Sequence, residues 1–185
     1  MKETVLYVAR HGETLWNKEK RMQGHKGVGL SPKGYEQSEE LAINILKHKY
    51  PITVVYSSHL ERAKQTAEVV ADALGIEVKI EPGIAERNFG EFEGKTFDEL
   101  EKRFAQSGML WWETTPPGGE SLVDFNRRSI EAIDRIVDNN RGSHVLVLSH
   151  GGTIRRINEH FNSQNPALKN VGFDIQNASL WIHKV

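Results

Sequence analysis

The chain has no cysteine. That excludes disulfide cross-links and thiol catalysis, and it fits a reducing compartment. It also lacks an excess of either charge, with 24 Lys and Arg against 25 Asp and Glu. Nothing in that balance advertises nucleic acid, so any anion site must be a local concentration of basic groups. No apolar run approaches the roughly 18 residues of a membrane span. Met1, Lys2 and Glu3 lead straight into an apolar strand pattern, which leaves no room for a signal peptide; a cytoplasmic protein is expected. No solenoid-length repeat or long linker interrupts the chain, so residues 1–185 are expected to form one domain.

Familiar catalytic signatures are missing too. The histidines show neither His-x-His nor His-Glu-x-x-His spacing, so no metal site is expected. The stretch Gly90 to Thr96 (GEFEGKT) is one residue short of a Walker A loop, and Glu91 and Glu93 would repel a phosphate there. Neither Ser57, Ser58 nor Ser149 lies in a G-x-S-x-G frame.

What is present is an alternation of strands and helices. Val5–Ala9, Thr53–Ser57, Glu77–Ile80, Val145–Leu148 and Ala178–His183 read as short strands. Ser31-Pro32 opens a helix carrying Tyr35, Ser38, Ala42, Ile45 and Leu46 at helical spacing. Ser58 is expected to cap a helix that Gly75 ends. Thr96 and Glu99 make a capping-box pattern for a helix to about Gln106. Ser121 is expected to cap a longer one, and another follows Gly152. This order implies an α/β protein, a mostly parallel sheet covered by helices on both faces.

In such a sheet, ligands bind beyond the carboxyl ends of the strands. Arg10 and His11 follow the first strand, His150 follows the Val145 strand, Arg62 sits in the first turn of a helix, and Glu86 lies in the loop after the third strand. Helical side chains slant toward the N-terminus, which lets Arg62 lean over the same rim. Guanidinium forks match phosphate oxygens, an imidazole is a nucleophile near neutral pH, and a half-buried carboxyl can act as a general acid. Phosphoryl transfer asks mainly for positioning and charge stabilisation, and this set supplies both. His25, His48, His59, His144, His160 and His183 lack such context and are read as structural or solvated. Arg127 with Arg128, and Arg155 with Arg156, are read as solvated helix faces. Trp111, Trp112, Phe92 and Phe97 fit core and pocket rim equally well.

The motifs RHGETLWN (10–17), SSHLERAKQTA (57–67), ERNFGEFEG (86–94), GGES (118–121) and SHGG (149–152) resemble, in order and over nearly the whole chain, the histidine phosphatase (phosphoglycerate mutase-like) superfamily. The resemblance implies a three-layer α/β/α fold and a metal-independent enzyme without a cofactor. It makes His11 the nucleophile and Glu86 the proton donor. Arg10, Arg62 and His150 would hold the phosphoryl oxygens, with Asn17 assisting; Gln23, Gly24 and Gly151 complete the expected substrate contacts. The glycines after the histidines are expected to let backbone approach the phosphate. The second nitrogen of His11 needs an acceptor to fix its tautomer, and a backbone carbonyl is expected. The short stretch from Glu86 to His150, and Gln23 where mutases present a small hydroxyl residue, favour the phosphatase branch over phosphoglycerate mutase. A module that binds a phosphorylated partner without turnover is disfavoured, because all five core residues are present. The expected partner is a small phosphate ester, and the expected assembly a monomer or homodimer.

Overall fold

A computed structural model describes residues 3–161 and 175–185; Met1 and Lys2 of the expected N-terminal reading lie outside them. Five strands form one sheet in the order β3-β2-β4-β1-β5. They are β1 (Val5–Arg10), β2 (Val54–Ser57), β3 (Val78–Ile80), β4 (His144–Ser149) and β5 (Leu180–Lys184). All neighbours are parallel except β1 and β5. The architecture is therefore the expected mostly parallel α/β sheet.

Alternation along the strands divides the core. Val5, Tyr7 and Ala9 of β1 point to one face, where Leu41, Ala42 and Ile45 of α2 (Pro32–Lys47) meet Ala67, Val70 and Ala71 of α3 (Glu61–Leu74). Leu6 and Val8 point to the other, against Ile133 and Ile136 of α5 (Leu122–Asn139) and Ile154 and Ile157 of α6 (Gly151–Phe161). Side-chain period two in the strands, matched to helical stripes on both sides, produces the three layers.

The cap chemistry follows the sequence at three helices. Ser31 accepts from the Gly34 N–H with Pro32 just inside the helix. Ser121 accepts from Asp124 N, and Thr96 with Glu99 makes both halves of a capping box for α4 (Phe97–Phe104). Gly75 ends α3 in the left-handed region at φ 67°. Two expectations change. Tyr35 and Leu46 face solvent, while Gly34 and Leu41 take the buried side of α2. The residue before α3 is Leu60, which carries no side-chain cap; Ser58 instead turns toward His150. A short helix, α1 (Leu15–Lys18), was not expected; Thr14 and Asn17 close a capping box around it.

A third, smaller cluster sits apart from the sheet. Met22, Phe92 and Leu100 pack together with Trp111 of the segment that links α4 to α5.

Candidate active site

The β1–β4 register pairs Arg10 with Ser149, and His11 N–H continues the ladder onto the Ser149 carbonyl at 3.0 Å. The next residue on each strand is therefore a histidine on the same edge. The rings of His11 and His150 lie 5.2 Å apart, both essentially inaccessible to solvent.

The tautomer of His11 is set from both sides. Nδ1 lies 2.7 Å from the Gly12 carbonyl oxygen, which can only accept, so Nδ1 carries the proton. Nε2 is left with its lone pair and accepts from Arg62 Nε at 3.3 Å. Burial, then the charges of Arg62 and Arg10, hold the His11 imidazole well below its ordinary value, so it is neutral at physiological pH. The expected carbonyl acceptor is Gly12. Its neighbours hold the loop: Gly12 N–H donates to Thr66 Oγ1, and Asn177 Nδ2 donates to the His11 carbonyl.

Arg62 is 1 % exposed, and burial pulls its guanidinium down to about 10, still charged at neutral pH. Nη2 donates to the Gly24 carbonyl at 2.8 Å, so Gly24 aims the arginine. Nη1 has no partner among the described residues, and neither has Nδ1 of buried His150. His150 Nε2 lies 2.7 Å from Ser58 Oγ. Burial first, with Arg62, keeps the His150 ring neutral as well. Buried polar nitrogens without partners are costly, and with its proton on Nδ1 and Nε2 accepting from Ser58, His150 would offer an oxyanion a donor beside that of Arg62.

Glu86 comes in from the opposite wall. Its Oε1 accepts from Arg87 N–H at 2.9 Å and its Oε2 from Gly152 N–H in the first turn of α6 at 3.0 Å. The loop that carries it is pinned through four successive carbonyls. Arg128 donates to Gly83, Ala85 and Glu86; Ser149 Oγ holds Ile84; Thr153 Oγ1 also holds Ala85; His25 Nε2 also holds Glu86. Arg128 is in turn held by a fork-to-fork pair with Glu120 at 2.7 and 2.8 Å. Arg128 is thus no solvated face but the brace of the Glu86 loop. Arg155 and Arg156 line the cavity rather than a solvated helix face.

Arg10, His11, Asn17, Gln23, Gly24, Arg62, Glu86 and Gly151 all border one cavity of about 230 Å³; His150 does not line it and is buried beside His11. Trp111 is both core and wall: it packs with Met22 and Phe92, and it also borders the cavity with Trp112. Glycines after the two histidines also admit neighbouring elements. A Cβ on Gly12 would collide with the Gly34 carbonyl of α2, and one on Gly152 with the Glu86 carboxylate. The missing side chains let α2 and the acid loop approach. Sequence reasoning missed Ser58 and Arg128 in this role, because each meets its partner only through the fold.

Known proteins are similar to this chain in sequence and fold. "Phosphoglycerate mutase-like protein 4" of Arabidopsis thaliana is 36% identical over 160 residues, 83% of this chain and 69% of that protein. The "Metal-independent phosphoserine phosphatase" of Arabidopsis thaliana is 33% identical over 160 residues, 83% of this chain and 67% of that protein. The solved structure of a mycobacterial glucosyl-3-phosphoglycerate phosphatase with VO3 superposes at a TM-score of 0.82, with 27% identity, over 96% of this chain and 90% of that one. The profile of the histidine phosphatase superfamily (branch 1) matches residues 6–185. With a family match over almost its whole length, the chain belongs to the histidine phosphatase superfamily.

Proposed function

We propose that the protein is a phosphomonoester hydrolase that works through a phosphohistidine on His11, with Arg10, Arg62, His150 and Asn17 holding the phosphoryl oxygens and Glu86 moving the proton. His11 Nε2 attacks phosphorus while the bond to the ester oxygen breaks and the Glu86 carboxyl gives that oxygen its proton. Water then enters; Glu86, now a carboxylate, takes its proton, the N–P bond breaks, and phosphate leaves. The Gly12 carbonyl stays on Nδ1–H throughout and stabilises the positive charge that the ring acquires on attack. Asn17 fits its part because its Oδ1 is occupied by the Thr14 N–H, leaving the NH₂ end for an anion.

The observation that carries this reading is the oriented His11: protonated on Nδ1 by geometry, unprotonated on Nε2, and faced by the buried, still-charged Arg62. The relatives named for phosphatase activity support hydrolysis. The relative named phosphoglycerate mutase-like supports the second reading, transfer between hydroxyls of phosphoglycerate. Rapid quench into alkali during turnover should trap an acid-labile phosphoryl group on His11 and none in His11→Ala. Acid-stable label on a serine would refute the nucleophile. A mutase assay on 3-phosphoglycerate run beside phosphate release decides between hydrolysis and transfer.

A further inference from the structure

The wall of the cavity beyond the phosphate residues is built from Met22, Phe89, Trp111, Trp112, Leu122 and Phe125. Phe89 of this wall lies three residues after Glu86 and borders the same cavity, so a group attached to the ester oxygen that Glu86 serves meets it. Among the described lining residues there is no serine, threonine, tyrosine, aspartate or lysine. Most polar groups that reach this wall are engaged; Trp111 Nε1, buried without a hydrogen-bond partner among the described residues, is an exception. Arg87 is buried and donates to the carbonyls of Trp112, Thr114 and Glu120. Arg21 is held by Glu19 and the Gly94 carbonyl, and Arg156 by Glu159. Gln23 Oε1 lies 3.0 Å from Thr14 Oγ1. A hydroxylated leaving group entering here would give up its hydrogen bonds to water and find few replacements.

Size restricts the choice further. Pockets for drug-sized ligands run roughly 300–1,000 Å³, and this one is about 230 Å³. It has room for a phosphoryl group with a single ring or a short branched chain, and a larger leaving group would extend out into solvent.

We infer that the site is built for a phosphate monoester of a compact apolar alcohol, one ring or a short branched chain, in preference to a hydroxylated or carboxylated one. This rests on the phosphatase reading of the same site. The sharpest competitor is 3-phosphoglycerate, whose carboxylate could reach Arg155 on the cavity wall.

The test compares 2-phenylethyl phosphate, glycerol phosphate and 3-phosphoglycerate. All three are primary alkyl esters whose alkoxides leave comparably badly, so differences in kcat/KM report the wall and not the chemistry. The apolar ester should lead by about 10- to 100-fold, the range in which apolar pockets discriminate against an added hydroxyl. Trp112→Ala should cost the phenylethyl ester at least about tenfold more than it costs glycerol phosphate, mainly in KM, and Trp112→Phe should restore most of that difference. Equal or better turnover of glycerol phosphate or 3-phosphoglycerate would overturn the substrate class while leaving the phosphohistidine mechanism intact. Absence of any turnover, with no phosphoenzyme from nitrophenyl phosphate, would overturn both. A uniform loss in Trp112→Ala across the three esters would also overturn it, by making Trp112 a structural residue of the cap.

Discussion

Glu86 is asked for two proton transfers in opposite directions, and two hydrogen bonds that its carboxyl accepts from backbone N–H groups fix where it points. Its importance in the first step depends on how badly the leaving group needs a proton. An alkoxide needs one, and general acid catalysis is worth roughly 10²–10⁴-fold in such cases. A nitrophenolate leaves unaided. Glu86→Gln should therefore give a burst of nitrophenol followed by slow turnover, because water then lacks its base, and almost no burst with an alkyl phosphate. Equal losses in burst rate with both esters would reduce Glu86 to a positioning group. Four of the five groups at this rim are readable in the sequence because each ends or follows a strand directly or lies in the first turn of a helix; Glu86, in the loop after β3, is readable from its motif. Ser58 is not readable in the same way. Its oxygen lies next to a ring nitrogen 92 residues further on, and locally it looks like any helix-capping serine.

The loop from Gly83 to Glu86 has no ladder of its own, and side chains from β4, α5, α6 and the His25 turn take the place of one. Arg128 makes three of these bonds and is forked to Glu120, whose own carbonyl receives Arg87. Acid loop, cap segment and α5 are thus one hydrogen-bonded unit. Removing the guanidinium in Arg128→Met takes the fork from half-buried Glu120, leaves the Gly83 carbonyl without its donor and halves the bonds to Ala85 and Glu86, a loss of about 2 kcal/mol. That destabilisation alone would follow from any structural role. The discriminating readout is the leaving group: burst rates with alkyl phosphates should fall about tenfold more than with nitrophenyl phosphate, because only the former need Glu86 in place. If both fall alike, Arg128 holds the fold and not the acid. Helix signals such as Ser31-Pro32, Thr96 with Glu99, and Ser121 are legible because donor and acceptor sit three residues apart. Arg128 reads as surface from its neighbour Arg127, which does face solvent; the loop that claims it is 42 to 45 residues away.

At the scale of the molecule, the two strand-end histidines are buried at the carboxyl edge of the sheet, and this couples the site to acid stability. Burial is the leading cause that lowers His11, His150, His59 and His183, with the site arginines adding to it at the first two. In the unfolded chain each imidazole protonates near 6.5. Between that value and the lower folded one the unfolded state binds more protons, so stability is fully present above about pH 6.5 and drains away as pH falls. For each fully buried histidine the slope is about 1.4 kcal/mol per pH unit inside the window. Urea midpoints should accordingly be flat from pH 8 to 7 and drop steeply from pH 6.5 to 5. His11→Gln takes one titrating ring out of this linkage, and its midpoint should fall less steeply over the same interval, whatever its value at pH 7. Vanadate, a mimic of the transferring phosphoryl group, should raise the wild-type midpoint at pH 7 by occupying the partnerless nitrogens of Arg62 and His150. A wild-type midpoint that stays level down to pH 5 would mean that the buried rings are reached by water and protons in the folded state, and the dry, neutral nucleophile would have to be given up.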